Sequence, residues 1–408
     1  MLFPLMFLKS FGYAGVTVVI MAVLGALIAL PALLAILGKR IDKAVVRKGA
    51  LKPKEDGRWA QTARFVMRKP VSVVVLSLVI LTVLAAPIKN IVFSQVDSRV
   101  LPASNPAAYA AQLITERFPG QEGNPIEVII PGGANKIEQI NNYTQEIAKV
   151  SGVVRVGEPQ ILGNDVRVIA IHDMGPRTPD AEALIKQIRL IPSPDQTLIG
   201  GVAADYADTQ IGIAKTMPWA LTWIAIGVLL LLFVFTGSLI LPIKAVILNI
   251  LSLAATLGVI TWIFVDGNLK WLVGDFTTTG SVDTGSIILV AVVAFGLSMD
   301  YELFLLSRIK EEHDAGRSNI ESVATGLQRS ARIITAAALL LAVVFGSFIT
   351  SGVTSIKTMG FGVALAVMLD ATIVRGLLVP ALMRLLGERN WWIPKWLDKR
   401  LPHVNFSH

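Results

Sequence analysis

Seven long runs of predominantly apolar residues constrain this 408-residue chain more than any motif does. They run from about Tyr13 to Leu37, Val71 to Ile88, Met217 to Phe235, Leu241 to Phe264, Ser286 to Leu306, Ile333 to Ile349 and Met359 to Leu385. A helix needs roughly 20 apolar residues to cross a bilayer, and in hydrocarbon every backbone polar group must be satisfied within its own segment. The expected fold class is therefore a polytopic α-helical membrane protein with about seven transmembrane helices. Composition agrees: 53% of residues are hydrophobic and 16% charged, against about 25% charged in a soluble domain. A short apolar stretch containing Pro4 opens the chain without a charged start and leads into the first run with no small-residue cleavage site, so no cleavable signal peptide is expected.

Several chemistries are excluded early. The chain has no cysteine, which removes disulfides, thiolate metal sites and Cys nucleophiles. Its four histidines, His172, His313, His403 and His408, have no metal-ligand spacing. No G-x-x-x-x-G-K-[ST] run exists to hold ATP, and no G-x-S-x-G context accompanies a histidine. If work is done, an ion gradient is its natural source. The net charge of +8 does not point to nucleic acid, because the basic residues cluster beside the apolar runs as topology determinants do.

The segment 38–69 is a basic linker. Lys39 to Lys69 carries eleven Lys/Arg against three acids, which places it in the cytoplasm. Within it, Arg58 to Lys69 reads as an amphipathic helix on the membrane surface, with Trp59, Phe65 and Val66 on one side. Seven spans then put the N-terminus outside and the C-terminus inside. Trp391, Trp392 and Trp396 with Lys395, Lys399 and Arg400 form an interfacial belt in the 387–408 tail.

After a transmembrane helix over 70–90, residues 91–215 have ordinary soluble composition, with ten Lys/Arg and fourteen acids. Strands are expected at Pro125–Pro131, Val153–Gly157, Asp165–Asp173 and Gln196–Val202, the third alternating as VRVIAIH. Helices are expected at Asn135–Val150 and at Thr178–Leu190, the latter with Thr178 as N-cap and Pro179 at the first helical position. That order is the ferredoxin-like βαββαβ arrangement in an extracytoplasmic α+β domain. An irregular α+β insert is the alternative. Asp205–Lys215 adds helical turns leading into a five-helix bundle over 216–386.

Polar residues inside the last spans carry the functional argument. Asp300 lies about 14 residues into its run, about 20 Å from the outer surface at 1.5 Å per residue. A carboxylate at that depth costs at least about 2.5–3.5 kcal/mol and usually serves protons, ions or a partner charge. Gly296 and Phe304 lie one turn above and below it, Gly296 allowing close helix approach. Tyr301 adds a hydroxyl that can hold or relay a proton. Glu302 points to another face, toward snorkelling or a cytoplasmic Lys/Arg. Asp370 and Arg375, five apart, are about 140° apart on an α-helix and are not expected to pair with each other. Arg375 would instead balance Asp300 or Asp370 from an adjacent helix. A permanently closed ion network is the alternative.

Three stretches carry a family resemblance: GLSMDYELFLLSRIKEEHDAG (296–316), LDATIVRGLLVPALMRLLGERNWWIP (369–394) and SFGYAGV…LIALPALLAILGKRID (10–42). They resemble the mycobacterial-membrane-protein-large branch of the resistance-nodulation-division transporters, over essentially the whole chain. The resemblance implies a proton-driven exporter of lipids or lipid-like molecules in an actinobacterial inner membrane, without a cofactor. It makes 91–215 the second periplasmic porter domain. Asp300 and Tyr301 match the proton-relay pair, Phe304 an aromatic beneath it, and Asp370 and Arg375 polar residues of the last helix. Family members have two pseudo-symmetric halves, and this chain matches the C-terminal one. A separately encoded N-terminal half, or a homo-oligomer, is the implied partner. The competing readings are a truncated half that scaffolds a cell-envelope complex, and an intramembrane aspartyl protease. The last is disfavoured, since neither LSMDYE nor VMLDAT has a Gly-x-Gly-Asp context.

Overall fold

A computed structural model describes residues 6–38, 40, 57–102, 104–118, 120 and 122–394. The expected belt residues Lys395, Trp396, Lys399 and Arg400 and most of the basic linker lie outside them. The described residues contain seven helices long and apolar enough to cross a membrane. In chain order, α1 spans Leu8–Leu37 and α3 spans Pro70–Asn90, with the short α2 (Arg58–Arg68) between them. The strand β1 (Phe93–Ser94) and the helix α4 (Pro106–Arg117) lead into an α/β domain. That domain runs β2 (Ile126–Ile130), α5 (Ile137–Ala148), β3 (Val153–Val156), β4 (Gln160–Leu162), β5 (Asp165–His172), α6 (Pro179–Leu190) and β6 (Leu198–Gly200). The remaining spanning helices are α7 (Val202–Thr236), α8 (Ile240–Val265), α9 (Thr284–Asp314), α10 (Asn319–Thr350) and α11 (Thr354–Trp391), with the strand β7 (Val282–Asp283) just before α9.

Local sequence sets the helix ends. Pro70 opens α3 in its first turn, where the missing N–H costs nothing. Asp283 accepts from the Ser286 N–H at 2.7 Å and caps α9. Gly237, at φ 63°, closes α7 in the left-handed conformation. The turns at 205–215 and the third span are one continuous helix, with Pro218 inside it. The α4 helix was not expected, although Asn105, which accepts from the Ala107 N–H at 2.9 Å, and Pro106 form a recognisable start.

The sheet of the α/β domain has the order β3-β5-β2-β6, with β4 pairing the same edge of β5 as β3. All pairings are antiparallel, with Ile126 opposite Ala170 and Val128 opposite Ile199. This order is compatible with the βαββαβ arrangement; β4 is an addition to it. Alternation on β2 and β5 buries Ile126, Val128, Ile130, Val166, Val168 and Ala170. Ile140 and Ile147 of α5 and Leu184, Ile185 and Ile188 of α6 complete that core. Ala203, Ala204 and Ala207 from the first turns of α7 join it, so the domain shares its core with a spanning helix.

A joint ties this domain to the bundle. Phe93 pairs in parallel with Val282, the Tyr206 hydroxyl donates to the Phe93 carbonyl at 2.9 Å, and Thr284 donates to the Ser94 carbonyl at 3.0 Å. At the other end, α2 differs from its expected place at the membrane surface. Ala60, Ala63, Val66 and Met67 are buried against the bundle, and Phe65 faces out. Gln328 of α10 accepts from the Ala60 N–H at 3.1 Å, and Arg64 reaches Glu321 at 2.9 Å. Small residues on one face let α2 approach closely, which makes packing a better outcome than lying flat. In contrast, α1 has none of its apolar window buried.

Two outcomes follow. A Cβ at Gly258 would fall 2.2 Å from the Leu84 carbonyl oxygen, whereas one at Gly296 meets nothing within 4 Å. Gly258→Ala should therefore destabilise the protein by about 1–3 kcal/mol and Gly296→Ala should not, measured by thermal unfolding of the purified chain in detergent. His172 is fully buried, with Nε2 3.1 Å from the Asn124 carbonyl, and burial pushes its imidazole below the ordinary value near 6.5. The unfolded state then binds more protons just below pH 6.5. Stability of the α/β domain should fall as pH drops through that value, until the folded ring also titrates. Hydrogen exchange of β5 against pH should show the loss, and His172→Gln should flatten it.

Candidate functional site: a buried charge cluster among α8, α9 and α11

Four ionisable side chains meet inside the bundle. Arg375, at 2% exposure, and Asp370, at 6%, come from α11; Glu302, at 3%, from α9; Lys244, at 7%, from α8. As two acids and two bases they are formally neutral together, the condition under which buried charges are tolerable. One Arg375 Nη2 pairs with Asp370 Oδ2 and also donates to the Ser298 carbonyl at 2.7 Å. The Ser298 hydroxyl donates to Asp370 Oδ1 at 2.7 Å. The guanidinium lies 5.2 Å from the Tyr301 ring centroid, where the ring face attracts a cation.

The second acid is held more loosely. Glu302 Oε2 is 3.9 Å from Arg375 Nε, too far for a hydrogen bond. Lys244 lies within electrostatic reach of Glu302. Glu302 Oε1, Arg375 Nε and Lys244 Nζ are buried polar atoms without a hydrogen-bond partner among the described residues. Leaving such a group unsatisfied costs about 1–3 kcal/mol, more when it is charged. The cluster therefore combines a closed pair, Asp370–Arg375, with an open one, Glu302–Lys244. An acid whose hydrogen bonds are incomplete is the easier one to protonate or rearrange.

Two sequence-based expectations are corrected here. Asp370 and Arg375 do pair with each other, because Asp370–Leu378 is a π-helix. Its i→i+5 hydrogen bonds stack a residue over the one five positions on, which an α-helix does not. Glu302 does not snorkel, because it shares a buried face with Ser298, Leu305, Ile309 and Glu312. That i, i+3/i+4 spacing is visible in the sequence and would have found Glu302. Nothing similar marks Lys244, which reads as a residue close enough to a helix end to snorkel.

The expected pair Asp300 and Tyr301 is split between faces. Tyr301 is half-buried and packs toward the cluster. Asp300 is exposed, on the same stripe of α9 as the exposed Gly296 and Val292. Gly296 therefore makes no close approach to another helix among the described residues. Phe304 is partly buried against the core and lies 5.7 Å from the Arg308 guanidinium, one turn toward the charged end of α9.

The sequence profile of the MMPL family matches residues 99–404, about three quarters of the chain. The chain belongs to the MMPL family. It is 38% identical to a putative membrane protein of Streptomyces coelicolor, over all of this chain and 56% of that protein. It is 32% identical to the trehalose monomycolate exporter MmpL3 of Mycobacterium tuberculosis, over 97% of this chain and 46% of the exporter. It is also 32% identical to the mycolic acid-containing lipids exporter MmpL11 of Mycolicibacterium smegmatis, over 98% of this chain and 44% of that protein. This MMPL-family chain thus spans about half the length of the curated relatives it matches.

Removing one partner of a buried pair strands the other charge. Arg375→Met should cost this MMPL-family protein about 3–5 kcal/mol, and adding Asp370→Asn should recover much of it. Denaturation of the two variants and the unaltered chain in detergent checks this; equal stability of the single variant and the unaltered chain would remove the energetic basis of the cluster.

Proposed function

We propose that the chain is the C-terminal half of a proton-motive-force-driven exporter of lipids or other hydrophobic molecules across the inner membrane. The observation that carries this reading is the four-charge cluster held at 2–7% exposure among spanning helices. In a neutral network of two acids and two bases, one proton gained or lost leaves a buried charge unbalanced, which favours a rearrangement of the helices that carry it. Membership of a family whose named relatives include two lipid exporters supports the cargo class.

In this reading Asp300 is the protonation site and Tyr301 its relay. Tyr301 is the natural link, since its ring touches the cluster while its neighbour in sequence faces away. Asp370 and Arg375 form the balancing network, Glu302 and Lys244 extend it, and Phe304 closes the gap below Asp300. The exposed stripe Val292–Gly296–Asp300 is where a helix of a separately encoded N-terminal half, or of a second copy, would complete the site. The distribution of basic residues puts the N-terminus outside, the C-terminus in the cytoplasm and the α/β domain on the outer side. The second reading is a membrane scaffold. It draws on Asp300 standing apart from the cluster and on α1 burying none of its apolar window.

Expressed with a companion half, Asp300→Asn should abolish export while the protein still inserts at normal levels. Extracted outer lipids read the result. Normal export by Asp300→Asn excludes the relay, and lipid export that never depends on this chain leaves the scaffold.

A further inference from the structure

The π register that pairs Asp370 with Arg375 recurs where there is no charge to pair. In α1, Gly25–Ala29 is also a π-helix. Its last i→i+5 bond runs from the Leu30 N–H to the Gly25 carbonyl, and Pro31 follows. In α11 the last such bond runs from the Val379 N–H to the Val374 carbonyl, and Pro380 follows. The two segments align without a gap as ALIALPALLAILGKR (26–40) and RGLLVPALMRLLGER (375–389). They end alike, at Gly38 with φ 45° and ψ −134° and at Gly387 with φ 54° and ψ −133°. At the α1 positions that align with Asp370 and Arg375 stand Met21 and Ala26. The wide turn therefore forms without an ion pair.

Proline supplies a reason. A helical proline has no N–H to give, and its ring crowds the carbonyl four residues back, here that of Gly376. Shifting the preceding N–H groups to carbonyls five residues back opens the turn beside the ring. Proline alone is not sufficient, since Pro218 sits within an unbroken α-helical run in α7. Nor is proline the sole route to this register, since a third π segment, Thr261–Val265, ends α8 without one; the unit shared by Gly25–Ala29 and Asp370–Leu378 is Leu/Val-Pro-Ala-Leu, followed five residues later by Gly. We infer that Pro380 is a positioning residue: it holds α11 in the π register, and that register is what brings Arg375 onto Asp370. Without it the segment reverts to an α-helix, in which the two side chains stand about 140° apart. The role in proton handling rests on the function proposed above; the register itself does not.

The absence of cysteine allows a direct test in the full chain. Spin labels are placed on cysteines at Thr372 and Leu377, five apart, or at Ile373 and Leu377, four apart; none of the three is buried. With Pro380 present, the five-apart pair should couple strongly; in Pro380→Ala its coupling should fall while that of the four-apart pair stays strong. Asp370→Asn with Arg375→Met, keeping Pro380, should retain the five-apart coupling. Unchanged coupling in Pro380→Ala, or loss of the π pattern in the charge-free variant, overturns the inference; the second arm stands even if Pro380→Ala does not insert. A carbodiimide that modifies protonated carboxyls supplies the second readout. Labelling of Asp370 at neutral pH should rise several-fold in Pro380→Ala while that of Asp300 stays level, and parallel changes at both would mean general loosening. Because the spectra need no transport, an export assay that refutes the relay leaves the register result standing.

Discussion

The guanidinium of Arg375 sets the terms for the helices around it. It is 98% buried among segments that cross hydrocarbon, and a lone charge there is prohibitive. Four neighbours offset that charge: the carboxylate of Asp370, the carbonyl of Ser298, the face of Tyr301 and the more distant Glu302. Three of these four come from one and a half turns of α9. The helix that carries the expected relay is thereby locked to α11 by hydrogen bonds where apolar packing alone would let it slide.

The same arrangement gives α9 two polar stripes on opposite sides. Ser298 and Glu302 lie on the side covered by α8 and α11. Asp300, two residues from either, is rotated by about 200° and stands on the uncovered stripe with Gly296 and Val292. Glycine and aspartate one turn apart are poor residues to present to lipid and good ones to present to another helix. In the proposed transporter, the covered stripe is the part this chain completes by itself and the other is shared. Tyr301, a hundred degrees from each neighbour, is the residue placed to communicate between them.

What could be read in the sequence was whatever depends on period and composition. Apolar run length gave the spans, and VRVIAIH gave the central strand with its alternate burial, because both signals are local. The cluster was half legible. Asp370 and Arg375 are conspicuous as polar residues in a span, yet their pairing depends on a hydrogen-bond register five residues wide, which an α-helical wheel cannot represent. Glu302 was misjudged for a different reason: its depth pointed to an inner-end residue, while its face, shared with Ser298 and Ile309, decided its environment. The surface helix α2 shows the same limit, since amphipathicity reveals that a face is buried and not whether lipid or protein buries it.

The joint at the N-terminal end of α9 carries these constraints into the α/β domain. The N-terminal cap of α9, Asp283, belongs to β7, whose Val282 N–H donates to the Val92 carbonyl at 2.8 Å. Gln210 of α7 donates to the Thr284 hydroxyl at 3.1 Å, which in turn donates to the Ser94 carbonyl. The segment entering the domain, the helix leaving it and the helix bearing Ser298 and Glu302 are therefore bonded at one place. Below that place, α9 is held to α11 by the buried pair; above it, α7 is embedded in the domain core through Ala203, Ala204 and Ala207. A tilt of α9 that follows a change in the cluster must either break these hydrogen bonds or carry the base of the domain with it. The bonds at the joint are buried or part-buried, so breaking them is costly and moving together is the lower-energy course.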